Sequence, residues 1–353
     1  DITLVAGDIS GNNGDLTMSD GTVIDAGAGA ISLTAGGDMT LGSVRSTNAG
    51  NLTIAANGAI TDAGDSSGVD IQAPAGTLVI TAASGIGAGD GLEIHIDTLD
   101  LSNTENGAIA LSETDDLTIA GIDQNAAGDV TLNIGGQAQI AGEVKITAAN
   151  GDFTLTAQGS DSDSVGIDIQ APIITGGGGV ALVTQNNDLD FSAGITVAGP
   201  GDISLDAPSG AVVNSDTAWL DGAGSFIGVG GFSDAIDWAF ANGWFSVEPT
   251  TGEITVANAP ADEAAAHVAN GTVLRQADTG AYIQTDGGTL TITAQGGIGT
   301  EVNGFGVSPQ AMVVDADILV VDSAERQAVH IIATGGTDEA GITLGDATAD
   351  GLL

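Results

Sequence analysis

A short phrase returns along most of this chain: a glycine, one small or polar residue, then apolar residues alternating with Thr, Ser or Ala. It reads Gly29-Ala30-Ile31-Ser32-Leu33-Thr34-Ala35 early on, Gly151-Asp152-Phe153-Thr154-Leu155-Thr156-Ala157 in the middle and Gly288-Thr289-Leu290-Thr291-Ile292-Thr293-Ala294 further along. Shorter forms include Gly14-Asp15-Leu16-Thr17-Met18, Gly50-Asn51-Leu52-Thr53-Ile54 and Gly128-Asp129-Val130-Thr131-Leu132. Alternation of period two buries one face of a strand and wets the other. Recurrence about every twenty residues makes each phrase one unit of a stack, the mark of a solenoid. Longer blocks are copied as well: Gly68-Val69-Asp70-Ile71-Gln72-Ala73-Pro74 returns as Gly166-Ile167-Asp168-Ile169-Gln170-Ala171-Pro172.

Composition agrees with a thin, elongated core. The chain has 353 residues, 42% hydrophobic and only 3% aromatic, so stacked Ile, Leu, Val and Ala must fill the interior. Glycine serves the corners, where positive φ or close approach between successive units is needed. The phrase runs through residues 1–208 and resumes over 286–353. Between them, 209–285 holds all three Trp and four of the seven Phe. There Asp234 to Asn242 and Ala261 to Ala269 are expected as short helices, and Phe245 to Val256 as a hairpin around Pro249-Thr250-Thr251-Gly252. The expectation is an all-β, right-handed parallel β-helix carrying an inserted aromatic-rich α+β subdomain. The chain begins on Asp1-Ile2-Thr3-Leu4 and closes through Gly341-Ile342-Thr343-Leu344, in repeat phase and without a polar lid. It is therefore expected to continue into further repeats or to stack end to end on copies of itself.

Charge narrows the partners. Against 47 Asp and Glu stand 4 Lys and Arg, a net charge of −43. Such a surface repels phosphate backbones and anionic lipid, so no nucleic acid is expected as a partner. No apolar stretch reaches the length of a membrane-spanning helix. The chain holds no cysteine, which fits export through a bacterial envelope.

Catalytic signatures are missing. His95, His267 and His330 lie in unrelated contexts, and no nucleophile elbow or P-loop lysine occurs. His95 and His330 alternate with apolar neighbours and read as outward strand positions. The expected function is non-enzymatic and needs no cofactor. Asp161 and Asp163 in Asp161-Ser162-Asp163-Ser164, with Asp115-Asp116 and Asp338-Glu339, offer hard oxygens of the kind Ca²⁺ prefers, set against solvated turn acids. In the aromatic segment, Phe226, Phe232, Trp238 and Phe240 suit a local core. The candidate binding residues are Trp238, Trp244 and Phe245, the last two beside Gly243, as a contact surface for a glycan or a neighbouring subunit.

Ile80-Thr81-Ala82-Ala83-Ser84-Gly85-Ile86-Gly87 and Asp123-Gln124-Asn125-Ala126-Ala127-Gly128-Asp129-Val130-Thr131-Leu132 are similar to the repeats of filamentous-haemagglutinin-like bacterial surface proteins. The resemblance covers roughly 1–208 and 286–353. It implies a right-handed β-helix displayed outside the cell, in an adhesin or filament that attaches to a host or neighbouring-cell surface glycan or protein. The secretion domain of that family has no counterpart in these residues. Two other classes stay open: a self-assembling subunit of an extracellular fibre or sheath, and a polysaccharide-degrading β-helix enzyme.

Overall fold

The computed structural model describes residues 1–7, 14–47, 49–64, 68–125, 127–159, 165–213, 283–296, 298, 312–316, 318–323, 331–333 and 343–344, together with the strands Ala218–Leu220, Phe226–Val229, Phe245–Val247 and Ile254–Val256. Among the described residues every regular element is a strand. The strands wind into coils that stack in parallel, so the fold is a parallel β-solenoid.

Each coil is short because the alternating phrase supplies only two or three inward residues per strand. Ile31–Ala35, Met39–Leu41 and Ser43–Arg45 make one coil; Val130–Ile134, Ala138–Ile140 and Val144–Ile146 make another. Inward residues stack directly on their equivalents. One column runs Leu111, Leu132, Leu155, Leu182, Leu205 and Ile292, each of them buried. Burying such a side chain contributes about 1.5–3 kcal/mol, which lets a core without many rings hold the stack. Two rings do enter it, Phe153 and Phe191, both fully buried. Outward residues form matching rows of small and hydroxyl side chains, such as Thr131, Thr154, Ala181, Ser204 and Thr291.

The glycine of the phrase is required by close stacking. A Cβ on Gly50 would lie 2.5 Å from the Gly29 carbonyl oxygen, and one on Gly76 would lie 2.7 Å from that of Gly50.

The repeat changes face partway along. The early five-residue strands, Ile2–Ala6, Ile31–Ala35 and Leu52–Ala56, stack on one another and then on residues 78–82 and 99–103. From Ile109–Glu113 onward the five-residue strands lie instead on residues 92–94, in the column begun by Val23–Asp25 and Ser43–Arg45. The first column is continued by three-residue strands, Val144–Ile146, Ile173–Thr175 and Ile195–Val197. The exchange takes place in two twelve-residue strands, Ile71–Ala82 and Leu92–Asn103, which each cross two faces without a break. Residues 74–76 are accommodated as a bulge opposite Asp97, which places Pro74, a residue with no N–H, outside the ladder.

Stacked pairing reaches Val213 and resumes at Ile283. Ile203 pairs with Leu290 and Ile195 with Ile283, so the coils before Val213 and after Ile283 are direct neighbours in the stack. The expected hairpin is present as Phe245–Val247 antiparallel to Ile254–Val256. The helices expected at 234–242 and 261–269 lie outside the described residues.

Candidate functional site

Much of the acidity is structural. In the repeating phrase, the residue after glycine sits at a corner, and its carboxylate accepts the backbone N–H of its equivalent one coil on. Asp15 Oδ1 accepts from Asp38 N at 3.0 Å, and Asp38 Oδ1 from Ala59 N at 2.9 Å. Asp129 Oδ1 accepts from Asp152 N at 3.1 Å, Asp152 Oδ1 from Gly179 N at 2.7 Å, and Asp202 Oδ1 from Thr289 N at 2.8 Å. Asp116, one of the acids considered for calcium, accepts from Gln137 N at 2.7 Å in the same way. Its neighbour Asp115 has Oδ2 3.1 Å from His95 Nε2, so His95 faces outward from its strand toward a carboxylate. These charge-assisted bonds tie coil to coil at corners where the strand ladder is interrupted.

A different arrangement occurs at one corner. Asp62 ends the strand Ile60–Asp62, Asp70 precedes the strand Ile71–Ala82, and Glu93 lies in Leu92–Asn103. One carboxylate oxygen from each comes within 4.8 Å of the other two. Coil stacking creates this meeting. Ile71 pairs with Ile94, which sets Asp70 beside Glu93, while Asp62 pairs with Leu41 and so takes an inward, core-lining position. In the preceding coil Gly42 alone joins the equivalent strands; here residues 63–70 intervene.

In each aspartate one oxygen is satisfied. Asp62 Oδ2 accepts from Gly64 N at 2.9 Å, and Asp70 Oδ2 from Glu93 N at 3.0 Å. The other is not: Asp62 Oδ1 and Asp70 Oδ1 are buried without a hydrogen-bond partner. Asp70 is only 1% exposed. Burial pushes its carboxyl up to about 8; the Glu93 N–H opposes this, and the nearby Glu93 and Asp62 carboxyls add to it.

A second buried acid shows the contrast. Glu113 is 4% exposed, yet its Oε2 accepts from Ile96 N at 3.1 Å and its Oε1 from Thr114 N at 2.9 Å. Burial raises it to about 8 against those donors. It buttresses a corner. On the exposed rim, Asp25 is held below the usual carboxylate range by the Gly27 N–H and by Arg45, whose Nε donates to it at 2.9 Å.

Of the residues singled out from sequence, Asp161, Asp163, Trp238 and Trp244 lie outside the described residues. Phe245 begins the strand Phe245–Val247, its backbone paired with Val256. The triad was not found from sequence, although one signal existed: Asp62 occupies the slot that alternation gives to Leu41. Among the described residues no helix is long and apolar enough to cross a membrane. No protein-family model matches the chain, and no curated protein or solved structure shows a significant match to it.

Proposed function

We propose that this chain is a rod-like segment of an extracellular, cell-surface adhesin or filament, acting as a non-enzymatic scaffold. The observation that supports this reading most is the direct stacking of similar coils over residues 109–207. Leu111, Leu132, Leu155, Leu182 and Leu205 succeed one another inside while Thr131, Thr154 and Ser204 succeed one another outside, a construction that yields length and a regular wet surface. The phrases similar to filamentous-haemagglutinin-like repeats point the same way. A glycan or protein on a host or neighbouring cell is the proposed partner. The test is attachment: beads coated with the purified chain should bind cells or immobilised glycans saturably and leave polysaccharides intact. Absence of attachment together with release of sugar fragments would replace the scaffold with the glycan-degrading enzyme.

A second reading, a self-assembling fibre subunit, draws on the strand Ile2–Ala6. Among the described residues it pairs only with Ile31–Ala35, and Leu4 and Val5 are 41% and 64% exposed. Where no further coil covers it, an edge of this kind is a template for another strand. Electron micrographs of the pure protein separate the two readings, since the scaffold gives single rods and the subunit gives ordered filaments.

A further inference from the structure

We propose that Asp62, Asp70 and Glu93 form a divalent-cation site of the calcium type, which clips two successive coils of the solenoid together. Nothing in this inference depends on the chain being an adhesin. Three observations carry it. One oxygen from each carboxylate lies within 4.8 Å of the other two, a spread that oxygens around one ion at about 2.3–2.6 Å would show. Two of the carboxylates also bring a buried, unpartnered oxygen to this corner, Asp62 Oδ1 and Asp70 Oδ1, while their Oδ2 atoms are fixed by the N–H groups of Gly64 and Glu93. In both aspartates one oxygen is held by the backbone and the other is left bare, so these two hard ligands are fixed in place. Third, among the described residues none of the three pairs with a basic side chain; Arg45 is engaged by Asp25 and His95 by Asp115. An isolated buried carboxylate is costly, and three acids this close need a counter-charge or a shared proton.

Position adds a reason. Asp62 stands in the column of Leu41, where an apolar side chain would have extended the core at no electrostatic cost. A bound ion makes a carboxylate useful there, because it joins the end of Ile60–Asp62 and the start of Ile71–Ala82 to Leu92–Asn103 in the next coil. Calcium suits the site better than magnesium. Its coordination is flexible and tolerates three carboxylates on separate strands plus water, whereas magnesium demands a near-octahedral shell at short distance.

The test uses the full chain, stripped with a chelator and titrated with CaCl₂ by calorimetry at constant ionic strength. One saturable equivalent is expected, with a dissociation constant between about 1 μM and 1 mM. Saturating calcium should raise the thermal midpoint by several degrees, and equal magnesium should not. Asp70→Asn should abolish the saturable equivalent. Glu93→Gln, at a half-exposed position that leaves the core intact, should weaken it at least tenfold. Asp168→Asn should bind as the parent does. Three results overturn the proposal: weak, unsaturable uptake of the kind any acidic surface shows, Glu93→Gln binding like the parent, or magnesium substituting equally well. In the first two cases the triad is a proton-sharing cluster.

Discussion

The phrase Gly-x-Asp-Ile-Gln-Ala-Pro occurs twice, at 68–74 and 166–172, and the two copies end in different surroundings. Asp70 is buried, with one oxygen unpartnered and two further carboxylates close by. Asp168 is half-buried, and its Oδ2 accepts from Gln170 Nε2 at 2.7 Å and Gln139 Nε2 at 3.4 Å. The backbones diverge too. Ile71 opens a twelve-residue strand that passes through Pro74, whereas Ile169 closes the strand Val165–Ile169 and Pro172 lies in the corner before Ile173–Thr175. The copies stack on different faces, before and after the repeat shifts. A local sequence therefore fixes strand and corner, while the coils above and below decide what chemistry its carboxylate meets.

The glycines that open the two copies should break in different ways, with the largest effect at the second. A Cβ on Gly166 would collide with Thr184 Oγ1 and lie 2.6 Å from the Asn186 carbonyl oxygen. Gly166→Ala should cost about 2–3 kcal/mol in denaturant unfolding. Gly68 has open space around it and a φ of +79°, so Gly68→Ala should cost about 1 kcal/mol, from backbone conformation alone.

Glu113 sharpens what Asp70 means, because both are buried acids and only Glu113 has a full set of donors. Folded Glu113 keeps its proton to about pH 8, whereas an unfolded glutamate releases it near 4.5. Unfolding thus sheds a proton in that window. Stability from this group is complete below about pH 4.5 and is lost as pH rises toward 8. Glu113→Gln should cost about 1–2 kcal/mol at pH 4.5, since its amide nitrogen cannot accept the Ile96 or Thr114 N–H, and should flatten the decline by on the order of 2 kcal/mol, read from unfolding at a series of pH values.

The two aspartates themselves come next. Without divalent cations at pH 8, Asp70→Asn should stabilise the chain by roughly 1 kcal/mol, since it removes a buried charge from a crowded group. Asp168→Asn should shift stability by less than about 0.5 kcal/mol under the same conditions. Equal effects from the two substitutions would erase the difference drawn between the copies.

Sequence made the coil legible because alternation and the glycine before it are properties of single strands. Ile31, Leu33 and Ala35 turn inward as period two requires, and so do Phe153, Leu155 and Ala157. The exchange of faces was not legible. Residues 71–82 and 92–103 hold alternation on both sides of a missing corner, and nothing local says that the next phrase will stack on the far end. The role of the corner acids was hidden for a related reason. Asp129 and Asp152 look like solvated turn residues until the next coil supplies the N–H each one accepts. The triad needs the same information, since Asp62 and Glu93 meet only through the register that pairs Ile71 with Ile94.

That register, including the change of face, is open to a direct measurement, because the chain has no cysteine to interfere. Ser102 lies beside Asp123 in the stack, while Ser112 lies beside Glu93 on another face. Neighbours in adjacent parallel strands are about 4.8 Å apart, within disulfide range. A chain carrying Ser102→Cys and Asp123→Cys should therefore oxidise to an intramolecular disulfide, and one carrying Ser102→Cys and Ser112→Cys should not. If the phrase always stacked on itself, Ser112 would sit beside Ser102, and the opposite pattern of cross-linking would contradict the stacking described here.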